Sequence, residues 1–147
     1  MNRENVFEQL KIDEGVKYEI YLDHLGYPTY GVGHLVVDTD EESGQPVGTP
    51  VSEERVWEAF QKDLDTACSE CEILYEDFGK WPDFVQEVLV NMMFNMGRPR
   101  LSKFKNFKAA LDAQDWARAA VEGRDSAWYR QVTNRAERLM ARLEAGE

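Results

Sequence analysis

Residue 15 divides two different kinds of sequence, and that division constrains the fold more than any other feature. Before it, Val6, Phe7 and Leu10 recur at helical spacing, and Gly15 stops the pattern. After it, "KYEIYLDHLGYPTYGVGHLV" (17–36) is rich in Tyr, Ile, Val and Thr, with Gly and Pro between the runs. That composition predicts a small β-hairpin region. From residue 51 onward the patterning is helical. The order is therefore one helix, one short β region, then many helices. That order gives an α+β architecture: a small N-terminal lobe with the sheet and a larger C-terminal helical lobe.

The helical part carries its own start and stop signals. "VSEERVWEAFQKDLDTA" opens on Ser52 as an N-cap, with glutamates in the first turn and a stripe of Val56, Phe60, Leu64 and Ala67. "DFVQEVLVNMMFNMG" (83–97) is apolar on most sides, which predicts a buried core helix. Shorter helices follow, with Asp115 as a cap and Gly123 as a stop. No period of 20–50 residues repeats. We expect a single domain over 1–147, with residues 14–50 as the β lobe. Residues 1–13 and 51–147 form the helical part, and 51–72 is the connecting helix. The first helix is free to dock back on the helical lobe, which leaves a cleft between lobes where a binding site would lie. The acidic stretch 38–50, with two Gly and two Pro, is expected to be a mobile surface loop.

Charge and cysteine content narrow the function. The net charge is −11, and the acidity lies toward the N-terminus. Residues 1–97 carry 6 Lys/Arg against 21 Asp/Glu, and residues 98–147 carry 11 against 7. An acidic total argues against a nucleic-acid binder driven by phosphate contacts. The basic run Arg98, Arg100, Lys103, Lys105 and Lys108 is either a solvated helix flank or a contact for an anionic polymer. No apolar run approaches the roughly 20 residues of a membrane helix, and the N-terminus shows no secretory h-region. Cys68 and Cys71 have a C-x-x-C spacing but no second pair and no neighbouring His, so they are expected to be incidental thiols. No metal and no cofactor are expected.

Within 11–34 stand two carboxylates and a hydroxyl. Eight residues separate Glu14 from Asp23, and five separate Asp23 from Thr29. Cleaving a glycosidic bond needs a proton for the leaving oxygen. It also needs negative charge or an activated water near the oxocarbenium-like centre. Two carboxyls in different environments can divide those roles. Glu14 would sit at a helix C-terminus, where the macrodipole disfavours its charge, as suits an acid. Asp23 lies on a strand or turn, and Thr29 can hold a water. Spacing alone leaves a glycosidase site and an ordinary hairpin surface both open.

The words around these residues carry more. "IDEG", "GYPTYGVGH", "NMMFNMG", "AWY" and "NRAER" occur in this order from about residue 6 to 142. Together they resemble the phage lysozymes of the T-even type, the endolysins or N-acetylmuramidases. The resemblance implies a lysozyme-like α+β fold and hydrolysis of the β-1,4 bond between N-acetylmuramic acid and N-acetylglucosamine in bacterial peptidoglycan, for host lysis. It implies Glu14 as general acid, Asp23 as the second carboxylate and Thr29 as the water-positioning hydroxyl. His34 resembles a structural histidine paired with Asp63 in "FQKDLD". Arg135 resembles an arginine that reaches the catalytic glutamate. Leu35 and Phe94 match positions whose backbone contacts the N-acetyl sugar. It further implies a monomer in the host cytoplasm, reaching the wall through a holin-type pore, without membrane insertion.

This chain departs from the family in three ways. The segment after "GVGH" is shorter and more acidic. Phe107 and Glu122 replace polar residues that contact sugar or peptide. The whole chain is acidic where family members are often basic. Two other functions stay open. A lytic transglycosylase would use Glu14 without water, and a non-catalytic wall-binding module would share only the fold.

Overall fold

A computed structural model describes residues 1–147. Seven helices and three short strands follow in the order α1 (Arg3–Glu14), β1 (Lys17–Leu22), β2 (Pro28–Gly31), β3 (His34–Leu35), α2 (Glu53–Leu74), then a 3-10 turn at Phe78–Lys80. After the turn come α3 (Asp83–Leu101), α4 (Lys105–Asp112), α5 (Trp116–Arg124), α6 (Ala127–Gln131) and α7 (Thr133–Ala145). The fold is the α+β arrangement expected from the sequence, with one small antiparallel sheet and seven helices. No helix is long and apolar enough to cross a membrane. The chain forms two compact units, residues 3–66 and residues 67–147 with 1–2, and the boundary falls inside α2.

In the first unit, α1 ends at Glu14 because Gly15 adopts φ +78°, a left-handed turn that only glycine takes without strain. The three strands form an antiparallel sheet in the order β1-β2-β3. Tyr21 pairs with Thr29 and Leu22 with Pro28, while Thr29 pairs with Leu35 and Tyr30 with His34. A bulge between Lys17 and Tyr21 lets β1 cover more chain than β2 on the same length of sheet. Gly31 and Gly33 make the tight β2–β3 turn at φ +63° and +65°.

One face of this sheet is dry. Ile20, Tyr30, Val51, Val56 and Ala59 form a buried cluster, and Phe7 of α1 packs against it together with Val16 and Val36. The Phe7 ring lies 4.9 Å from Trp57 and 4.8 Å from Phe60. Arg3 reinforces the seat, donating to Gln61 and pairing with Asp65 at 2.8 Å. So α1 forms one compact unit with the sheet and the first half of α2, whereas the sequence grouped residues 1–13 with the helical lobe. The reason is Phe7, which completes an aromatic contact that the small sheet cannot close alone.

The stretch 38–50 is not a loose loop. Ile20 N–H donates to Thr49 O, Gly48 N–H to Ile20 O, and Val51 N–H to Tyr18 O, so residues 48–51 pair along the free edge of β1. Glu42 is buried and accepts from Tyr30 Oη at 2.8 Å and from Arg55 at 2.9 and 3.0 Å. The Arg55 guanidinium, followed by burial and the Tyr30 hydroxyl, sets the Glu42 carboxyl at about 2, the guanidinium outweighing burial.

The second unit is helical. Val85, Val88, Leu89, Met92 and Met96 of α3 are buried, as their continuous apolar pattern predicts. The helix breaks at Gly97, at φ +77° and ψ 162°, two residues before Pro99, which cannot donate to the helix ladder. Asp115 caps α5 by accepting from Arg118 N–H at 3.0 Å. Gly123 is not a stop: α5 runs on to Arg124. Gly123 instead lies against α7, where a Cβ would run into the Met140 side chain and force it to shift. Arg124 then forks onto Glu137 of α7 at 2.8 and 2.9 Å. Cys71 is fully buried, and burial pushes its thiol well above the ordinary range, so it packs as an apolar group.

Candidate active site

The β1–β2 hairpin is organised around one residue, Tyr27. Asp23 Oδ1 accepts from the N–H groups of Leu25 and Tyr27, both at 2.9 Å. The Tyr27 carbonyl accepts from Asp23 N–H at 2.9 Å and from Thr29 Oγ1 at 2.9 Å. The Asp23 carboxylate and the Thr29 hydroxyl are therefore both tied to the same residue. A turn aspartate that bonds the backbone two and four residues ahead is the local reason the hairpin turns here.

These bonds set the chemistry of each group. The Tyr27 N–H, partly offset by slight desolvation and joined by Leu25 N–H, holds the Asp23 carboxyl below its ordinary value. Asp23 is thus an ionised carboxylate across the neutral range, with Oδ2 outside these hydrogen bonds. Thr29 is buried, at 3% exposure. Its only proton is committed to the Tyr27 carbonyl, so its oxygen is left to accept.

Glu14 lies at the last position of α1 and is exposed. Burial raises the Tyr21 phenol, and the charges of Asp23 and Glu14 raise it further. Both carboxylates therefore lie within electrostatic reach of one hydroxyl. Tyr21 pairs across the strands with Thr29, and Lys17 Nζ sits 4.3 Å from the centroid of its ring.

His34 is held between two carboxylates. Its Nδ1 lies 2.8 Å from Asp63 Oδ2 of α2, and its Nε2 lies 2.9 Å from Asp40 Oδ2. Both contacts are hydrogen bonds at once when both ring nitrogens carry protons, the form that two carboxylates favour. Burial lowers the imidazole pKa, but hydrogen bonds and charges from Asp63 and Asp40 outweigh it, and the net shift is upward. Asp40 also accepts from Val37 N–H at 2.9 Å, which fixes the start of the acidic stretch.

Leu35 is exposed and stands opposite Thr29 on β3. In the second unit, Arg135 on α7 donates through Nε to Asn91 Oδ1 at 2.8 Å and through a terminal nitrogen to Asn91 O at 3.2 Å. Asn91 is a buried polar residue of α3, and Phe94 is half-buried one turn further along. Two residues of this region were not singled out in the sequence. Tyr21 looked like one more strand aromatic, and its pairing with Thr29 is what gives the two a shared face. Asp40 was lost in an acidic run, where nothing local separates it from Asp38 or Glu41.

Residues 11–145 match the phage lysozyme family model. The chain is 30% identical to "Probable T4-type lysozyme 1" of Dictyostelium discoideum, covering 97% of this chain and 95% of that protein. It is 31% identical to the pre-baseplate central spike protein Gp5 of Enterobacteria phage T4, over 90% of this chain but 26% of the spike protein. It is 28% identical to the peptidoglycan hydrolase gp36 of Pseudomonas phage phiKMV, over 97% of this chain and 16% of that protein. The fold, the family match and the whole-length relative together define a glycoside hydrolase. The chain belongs to the phage lysozyme family.

Proposed function

We propose that this lysozyme hydrolyses the β-1,4 bond between N-acetylmuramic acid and N-acetylglucosamine in bacterial peptidoglycan, with Glu14 as acid and Asp23 as base. The observation that carries this reading is the linked pair Asp23 and Thr29. A water that attacks an anomeric carbon must give its two hydrogens to acceptors and point a lone pair at the sugar. Asp23 Oδ2 and Thr29 Oγ1 are two such acceptors, held through Tyr27. Glu14 then protonates the leaving oxygen. A water activated by one carboxylate opposite the other gives inversion, for which carboxyl separations of about 6.5–9.5 Å are usual. The scheme uses acid–base chemistry alone.

Arg135 is assigned to hold Glu14 in place, and Leu35 and Phe94 to contact the sugar through their backbones. His34 and Asp63 keep β3 against α2. The wall of a host cell is the biological target, reached from the host cytoplasm through a holin-type pore, with the chain working as a monomer. The whole-length likeness to a T4-type lysozyme and the likeness to a named peptidoglycan hydrolase support this reading.

Product analysis on purified peptidoglycan tests it. The expected products carry reducing N-acetylmuramic ends, and Glu14→Gln should yield none. Anhydro ends would instead mean a transglycosylase, which needs neither Asp23 nor Thr29. Appreciable turnover by Glu14→Gln would remove the Glu14 assignment.

A further inference from the structure

We propose that Tyr21 is a substrate-contact residue of this site, its phenol hydroxyl donating a hydrogen bond to the N-acetyl sugar bound beside Glu14 and Asp23. The proposal rests on the hydrolase reading above. Its geometric basis is the strand register. Tyr21 pairs with Thr29 across the sheet, so the two share a face, and Asp23 follows just past the end of β1. Ile20 and Tyr30 take the opposite, dry face.

The hydroxyl is available. Tyr21 is half-buried, and its hydroxyl makes no hydrogen bond within the chain and is not sealed from solvent. The ring is held in place, with Lys17 Nζ 4.3 Å from its centroid. That contact fixes the ring while the hydroxyl stays free to meet a ligand. The charges of Glu14 and Asp23 act on the phenol and, with burial, keep it protonated.

Chemical complementarity gives the hydroxyl its role. Asp23 is ionised and only accepts, and the Thr29 proton is committed to Tyr27 O. An N-acetyl sugar presents an amide carbonyl and a ring oxygen, which are acceptors and need a donor. Tyr21 supplies a neutral donor on this face, one that adds no charge beside the positive centre of the transition state.

Tyr21→Phe removes the hydroxyl and keeps the ring over which Lys17 sits. In the Glu14→Gln background substrate is not consumed, so the Kd of a soluble N-acetylated glycan fragment can be read by calorimetry. We expect Tyr21→Phe to weaken that Kd about three- to tenfold, the contribution of one neutral hydrogen bond. In the wild-type background KM should rise by a similar factor, and the melting temperature should stay unchanged. Unaltered Kd and KM would overturn the proposal. So would a lowered Tm with unaltered Kd, which is the mark of a packing role. Cleavage by Glu14→Gln alone would instead count against Glu14 as the acid, and reducing ends absent from the wild-type products would count against the hydrolase reading. The fragment's Kd can still be compared between native Tyr21 and Tyr21→Phe at short times.

Discussion

His34 offers the sharpest test of the electrostatics, through the substitution Asp40→Asn. Asp40 Oδ2 receives both His34 Nε2 and Val37 N–H, each at 2.9 Å. An asparagine carbonyl can occupy the same place and accept the same two hydrogen bonds, so the substitution removes charge and leaves shape. The site is dry: the His34 and Asp40 side chains are 9% and 5% exposed. A hydrogen bond to a charged group contributes about 1.5–3 kcal/mol against about 1 for a neutral one. The expected loss is therefore about 1–2 kcal/mol. For a chain of this size that corresponds to roughly 3–6 °C in Tm.

The pH dependence follows from the two shifts. The folded pKa of His34 is raised above 6.5. Its pairing therefore stabilises fully below the unfolded value and is lost as pH rises through the folded one. For Asp40, burial favours the neutral acid, but Val37 N–H and His34 overcome it, and the folded pKa lies below 3.8. Its contribution is present above the unfolded value and is lost as pH falls through the folded one. The gap between wild type and Asp40→Asn should be widest near about pH 5.5, narrowing toward about pH 9 as the imidazole loses its charge. Thermal unfolding followed by circular dichroism at both pH values measures it. An NMR titration of the His34 ring should show a pKa above 6.5 in the wild type and a lower one in the variant. An equal gap at both pH values, or a wild-type His34 pKa at or below 6.5, would refute the account.

Asp23→Asn should lower kcat by about 10²–10⁴, the usual contribution of a general base. Because Asp23 ionises below 3.8 in the folded protein, the acid limb of the wild-type kcat/KM profile set by the base should fall below about pH 4. A limb near neutrality would assign the base elsewhere. Thr29→Val keeps shape but loses the acceptor for water, and the Tyr27 carbonyl retains its bond from Asp23 N–H. We expect kcat to drop at least ~10-fold with little change in KM, read by turbidity loss of wall suspensions. Gly31→Ala forces a Cβ onto a φ of +63° and to 3.1 Å from Val56 Cγ1. The left-handed backbone alone costs about 1–2 kcal/mol, so denaturant titration should show a lowered midpoint with an unchanged slope.

Much of this protein follows from local sterics and can be read along the chain. Gly15 ends α1 because a left-handed residue must follow Glu14. Ser52 and Asp115 cap α2 and α5 because their side chains reach N–H groups three residues on. The Asp23 turn is equally local, since both its bonds span four residues or fewer. The nomination of Glu14, Asp23 and Thr29 came from the surrounding words, not from spacing, which an exposed hairpin would match as well.

Tertiary structure decided what depends on partners distant in sequence. Phe7 could face either side of a helix, and only Trp57 and Phe60 selected the sheet's cluster for α1. Glu42 reads as one acid in a solvated run until Arg55 and Tyr30, 13 and 12 residues away, bury it. Asp40 becomes a ligand of His34, and Gly123 becomes a helix contact, for the same reason. Backbone geometry is set by each residue and its neighbours. Burial and pairing are set by what the fold brings alongside, and one chain read in order carries no register for that.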